Sequence, residues 1–307
     1  MTKKIHIAGI LFASIFGFSF LFSKIALSYV TPIGLIAYRF LIAFVTFEIL
    51  RQFKVIKISI KKEQMKYLVA VAFFQPILYF IFETFGLNLV SSGEAGMMIA
   101  LIPIFVAILS SLIIKEKPKP IQVLFILLSV TGVIIIQLSK LGNDSTSEFL
   151  GFVLLLLAVI SAAMFNIASR TASQKSLKPM EVTYFMMLFG AFAFNIIYVV
   201  QLIIEQRLSD YYTNLMNIDI LFPIVYLGIV ASIGGFFLVN LVLSKVPAHV
   251  SSIYANLSTI VAIIAGIILL NEQISLYHIF GSILIIIGVY GTVRFNRKQK
   301  GRLTPSS

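Results

Sequence analysis

The sequence contains no cysteine, no tryptophan and only three histidines, His6, His249 and His278. Without cysteine there can be no disulfide, no thiolate metal site and no cysteine nucleophile. Three scattered histidines do not make a metal cluster, and no cofactor is expected. Charge is also scarce. Asp, Glu, Lys and Arg supply 12% of the 307 residues, about half the share of ordinary soluble domains. No GxxxxGK[ST] loop is present, so ATP drive would need another chain. HExxH, GxSxG and an intramembrane aspartate pair are missing as well, which argues against an intramembrane enzyme.

Apolar residues are abundant, at 59% of the chain, and mean hydropathy is +1.02. That excludes disorder, which needs few apolar residues and much charge. It also exceeds what a soluble protein of this size could hide. A helix crosses the hydrocarbon layer with about 20 apolar residues. Ten stretches qualify: Ile5–Ser28, Pro32–Leu50, Met65–Leu89, Glu94–Ile114, Pro120–Ser139, Phe149–Ser169, Glu181–Ile204, Ile220–Ser244, Val250–Leu270 and Leu276–Phe295. The connectors are short and polar, so no soluble domain is expected, and a receptor or scaffold reading loses support. Lys3 and Lys4 before an apolar run imitate a signal peptide. The run is too long and lacks a small-residue cleavage site, so it reads as an uncleaved first span.

The formal net charge of +12 is explained by topology rather than by nucleic acid. If the N-terminus is cytoplasmic, twenty of the 24 basic residues fall at the inner ends of the spans. Outside loops hold only Lys140 and Arg207, while Lys24 and Arg39 lie within spans. Such a bias predicts an even number of spans with both termini cytoplasmic. The basic loops then rest on an anionic leaflet. The bilayer and a small-molecule substrate are the expected partners, the chain being either a monomer or a homodimer.

The two halves align. At an offset of 156, Val90 meets Val246, Leu101 meets Leu257, Glu116 meets Glu272 and Gly132 meets Gly288. The first spans match at an offset of 142, where Gly9 meets Gly151 and Ser19 meets Ser161; Pro32 meets Pro179 at the second spans. Chance likeness of apolar helices competes with this reading, but the aligned Glu and Gly positions oppose it. The expected domains are residues 1–140, a first repeat of five spans, and 149–296, a second. A basic cytoplasmic tail, 297–307, follows. Because five is odd, the second copy must insert upside down. Inverted repeats mark secondary transporters, with substrate held near the midplane between them.

FGFSFLFSKIALSYVTPIGLIAYRF (Phe16–Phe40) and GLNLVSSGEAGMMIALIPIFVAILSSLIIKE (Gly86–Glu116) resemble the EamA-domain proteins of the drug/metabolite transporter superfamily. The second copy ends in a similar block at Leu243–Glu272. Two departures stand out: Phe16 where the family often has Trp, and Lys115 (Asn271 in the second copy) where it usually has Gly. The resemblance implies an all-α integral membrane fold of ten helices in two inverted five-helix bundles. It also implies a central cavity and the movement of amino acids, other metabolites or drugs, with export of amino acids or related metabolites preferred. A multidrug or quaternary-cation exporter is the alternative.

Charges inside a span cost about 2.5–3.5 kcal/mol each on the insertion scale. Lys24, Arg39 and Glu83 are such charges, and Glu94 begins a span. One reading makes them snorkelling or structural ion pairs. The other makes them an outer gate, or a grip on the two ends of a zwitterion. Glu83 is the candidate for proton coupling. Gln75, Tyr79, Asn166 and Asn256 are neutral candidates for the cavity; Asn195 and Asn240 are polar too, and helix-to-helix glue competes for all of them. Tyr79 and Tyr254 could stack on a ring or a cation. Pro76, Pro103, Gly234-Gly235 and the Gly93/Gly96 pair mark bends or close contacts. Glu116 and Glu272 are read as loop-shaping residues.

Overall fold

The computed structural model describes residues 3–89, 95, 98–138, 146–261, 264 and 276–295. Glu94, Gly93, Gly96, Lys140, Asn271, Glu272 and the tail 297–307 lie outside these residues. Among the described residues every regular element is helical. We number them α1 (Lys3–Leu27), α2 (Pro32–Gln52), α3 (Lys62–Leu89), α4 (Ile102–Ile113), α5 (Pro120–Leu138), α6 (Thr146–Gln174), α7 (Pro179–Ile204), α8 (Asp210–Met216), α9 (Ile218–Lys245), α10 (Ala248–Ser252) and α11 (Leu276–Arg294). Seven of them are long and apolar enough to cross a membrane: α1, α2, α3, α6, α7, α9 and α11. Two shorter apolar helices, Ile102–Ile113 and Pro120–Ile136, fall on the expected fourth and fifth spans. The expected ninth span is described only at residues 248–261 and 264, where α10 passes through a 3-10 turn, Ile253–Asn256, into helix again.

Sequence explains where these helices start and stop. Prolines open α2, α5 and α7, where a missing N–H costs nothing. Thr31 accepts a hydrogen bond from the amide of Gly34 and caps α2. Four helices end at a non-glycine residue with a left-handed backbone: Lys54, Lys115, Ser176 and Gln206. At three of them the amides of Val55, Leu177 and Arg207 reach back to the carbonyls of Leu50, Ala172 and Leu202. That is the Schellman closure, which satisfies carbonyls a helix end would otherwise leave bare. Lys115 keeps the left-handed turn that a glycine would adopt without strain.

Two helix pairs run antiparallel, as their contacts show. Along α2 and α7, Gly34 meets Tyr198, the carbonyl of Ala37 accepts from Asn195, and Tyr184 donates to Glu48. Along α5 and α11, Gly132 meets the Gly281 backbone, Ser129 meets Gly288, and Gln122 donates to the carbonyl of Thr292. A Cβ on Gly281 would lie 2.5 Å from the carbonyl oxygen of Gly132. Small residues let these backbones touch where hydrocarbon offers no hydrophobic drive. In the other direction, α1 runs parallel to residues 254–261, with Gly9 against Tyr254 and Gly17 against Val261.

Two helices widen in their middles. In α3 the π-type turn Phe73–Leu78 holds Pro76, and Gln75 has extended backbone (φ −152°, ψ 115°). In α9 a π-type stretch runs over Tyr226–Gly235. Adding the repeat offset of 156 to the first places it within the second. Such turns free backbone groups and gather at functional sites.

Candidate functional site

The widened turns of α3 and α9 flank a central cavity of about 110 Å³. Helices α1, α2, α3, α6 and α9 contribute walls, together with Ile99, Ile102 and the segment 251–258. Six phenylalanines, Phe12, Phe16, Phe20, Phe80, Phe165 and Phe236, make most of the apolar lining. The polar lining is concentrated in a few groups: Arg39, Glu83, Gln75, Tyr79, Asn166 and a set of serines.

Arg39 is 7% exposed. Its Nε donates to Ser232 Oγ at 2.7 Å, and its guanidinium lies 4.5 Å from the centroid of the Phe80 ring. No carboxylate comes within 4.0 Å of it among the described residues. Glu83, half-buried, accepts from Thr84 Oγ1 at 3.1 Å. The cavity therefore carries a cation and a carboxylate that do not neutralise each other by contact. Either is available to a solute group of opposite sign.

Five expected residues meet here: Arg39, Gln75, Tyr79, Glu83 and Asn166. Three do not. Lys24 is exposed and stands off the cavity face of α1. The cavity face of that helix carries Phe12, Phe16, Ser19, Phe20 and Ser23; one residue further turns the side chain by about 100°. Tyr254 points away from the cavity, its hydroxyl 2.8 Å from His6 Nδ1. Asn256 is buried against α5, donating to Ser129 Oγ at 3.1 Å. Asn195 and Asn240 join helices as well. Asn195 bonds α2 and Tyr211, and Asn240 bridges Ser169 and Thr183.

Sequence reasoning singled out Ser19, which lines the cavity, but missed four other serines. Ser232 anchors Arg39, and Ser251, Ser252 and Ser258 line the cavity. Ser251 Oγ is buried and finds no hydrogen-bond partner among the described residues, so its hydroxyl is uncommitted. Serines are common and small, and nothing in their spacing marks these. The only signal for Ser232 was its register: the offset of 156 places it opposite Pro76.

A cluster around Glu116 stands at the basic-loop end of α4. Arg170 Nε donates to Glu116 Oε1 at 2.8 Å, and the amide of Ala248 donates to Oε2 at 3.1 Å. Arg170 also donates to the carbonyl of Leu243 at 3.0 Å. One carboxylate thus ties the end of α4 to α6 and to the start of α10. This goes beyond shaping its own loop, the role expected of it. Glu48, also near the basic loops, is held by Arg51 at 2.8 Å and by the Tyr184 hydroxyl.

The comparisons with known proteins agree in kind. The pattern of the EamA-like transporter family matches residues 3–138 and again residues 149–294. The uncharacterized transporter YcxC of Bacillus subtilis is 37% identical over 96% of this chain and 95% of its own length. A probable amino-acid metabolite efflux pump of Escherichia coli is 24% identical over 94% and 95% respectively. A solved crystal structure, 15% identical, shares the fold with a TM-score of 0.75 over 96% of this chain and all of its own. The chain is a multi-pass membrane protein and belongs to the EamA-like transporter family.

Proposed function

We propose that the chain is an alternating-access carrier that exports a small zwitterion, an amino acid or a close relative. Its ten spans form two inverted five-helix repeats, with both termini cytoplasmic in a bacterial plasma membrane. The antiparallel pairing of α2 with α7 and of α5 with α11 supports the inversion. So does the twofold match of the family pattern. The charge bias of the loops supports the orientation.

The observation that carries the reading is the cavity itself. It lies between helices of both halves and presents Arg39 and Glu83 within aromatic walls. A solute carboxylate would take the guanidinium, its ammonium would take Glu83, and its side chain would lie among the phenylalanines. Buried serine hydroxyls would complete the polar contacts. In this reading the Glu116–Arg170 pair would act as the latch on the cytoplasmic side. Release of that cluster would open it. The E. coli relative, by its name a probable amino-acid metabolite efflux pump, fits the same cargo.

The quaternary-cation alternative fits Glu83 and the aromatic rings, but it must tolerate Arg39. A cavity of about 110 Å³ is also below the roughly 300–1,000 Å³ usual for drug-sized ligands. Counterflow decides between them. Liposomes holding the purified chain and an unlabelled amino-acid mixture should accumulate labelled neutral amino acids. The variant Arg39→Gln should lower that accumulation about tenfold or more, the loss expected for a charge-assisted hydrogen bond of about 1.5–3 kcal/mol. Accumulation of tetraphenylphosphonium but of no amino acid would overturn the zwitterion reading.

A further inference from the structure

A second cavity, of about 500 Å³, lies outside the central one. It is a groove between α1 and α11, floored by residues 254–261. That floor separates it from the solute cavity. Ser251, Ser252, Ala255 and Ser258 face inward, while Tyr254, Leu257 and Ile260 face the groove. The groove opens sideways from the bundle, because two of its wall residues, Ile10 and Ile286, are 52% and 54% exposed.

Its polarity is graded. Along most of its length mainly aliphatic side chains face it: Ile10, Leu257, Ile260, Ile286 and Val289, with Ser14, whose hydroxyl donates back to the carbonyl of Ile10. Polar groups gather at the end where α1 begins and α11 finishes. There Arg294 lies over the Tyr290 ring, 5.6 Å from its centroid, and donates to the Tyr290 hydroxyl. His6 and the Tyr254 hydroxyl meet at the same end. A water-soluble solute would find few partners in such a slot. An amphiphile with an anionic head and an apolar tail matches it from end to end.

We propose that this groove binds an anionic phospholipid of the surrounding bilayer, with the phosphate on Arg294 and one acyl chain along Ile10, Leu257, Ile286 and Val289. Basic pockets between membrane helices hold lipid head groups by this combination of charge and apolar contact. The cationic mouth lies at the end of the molecule where most of the basic residues stand. It does not depend on what the central cavity carries.

Native mass spectrometry of the full chain tests it, with phosphatidylglycerol or phosphatidylcholine added in turn. The chain should retain one phosphatidylglycerol at least fivefold better than phosphatidylcholine. Arg294→Gln should erase that preference, and Arg294→Lys should restore most of it. Ser14→Phe, which places a ring in the groove, should reduce retention of both lipids. Lys57→Gln, at another basic loop, should leave the preference unchanged. Equal retention of the two lipids by the native chain would overturn the proposal, as would an equal loss with Lys57→Gln. So would a dimer in place of the lipid adduct.

Discussion

Among the described residues, Arg39 sits within the membrane without a carboxylate in contact. Insertion of such a charge costs about 2.5–3.5 kcal/mol. A hydrogen bond to a charged group returns about 1.5–3 kcal/mol, and a desolvated cation–π contact about 2. Ser232 and Phe80 supply these two interactions, so Arg39 is held in place without an ion pair. That leaves Glu83 uncommitted, which is what a proton carrier needs. If Glu83 couples transport to protons, Glu83→Gln should lose stimulation by an imposed pH gradient, and its counterflow should weaken with the loss of the ammonium's partner. Uptake that keeps its full proton dependence would remove Glu83 from that role. Asn166 and Gln75 were legible as polar residues in an apolar span. Whether such a residue faces a cavity or a neighbouring helix was not, since glue and ligand use the same side chains.

Helices act as units through a few cross-ties. The end of α4, the middle of α6 and the start of α10 meet at Glu116, whose partners Arg170 and Ala248 come from different elements. The bridge is only partly exposed, at 16–17% of each side chain, so water screens it less than a surface pair. If this cluster is the cytoplasmic latch, its loss should open the cavity on that side. The chain has no cysteine, so a single Ser251→Cys reports without background. Its reaction with a membrane-impermeant maleimide from the cytoplasmic face should rise several-fold when Glu116→Gln is added. Unchanged labelling would mean that the cluster is merely structural. The widened turns in α3 and α9 are the matching devices in the membrane interior. Pro76 announced the first; in α9 Pro223 precedes the second and Gly234-Gly235 close it.

At the scale of the whole molecule, inversion is the central expectation. Single cysteines at Lys57 and Lys178 should react only from the cytoplasmic side, and one at Asp219 only from the outside. Reaction of all three in one compartment would dismantle both the even span count and the inverted repeat. The two antiparallel pairs, α2 with α7 and α5 with α11, join one half to the other along their full lengths. The central cavity is left between these seams. Its walls come from residues as far apart as Phe12 and Ser258.

The sequence by itself determined the class of molecule, the apolar segments, the bias of basic loops and the likeness of its two halves. Each depends on composition or spacing along the chain, and transfer from water to hydrocarbon reads both directly. It did not determine which face of each helix turns inward. Helices apolar all round carry no amphipathic stripe, so Lys24, Tyr254 and Asn256 could not be told from true cavity residues. Only tertiary packing set those rotations. Close contacts at Gly9, Gly34 and Gly86 fix how α1, α2 and α3 turn against their neighbours; Arg39 and Glu83 thereby face one cavity, while Tyr254 faces the lateral groove.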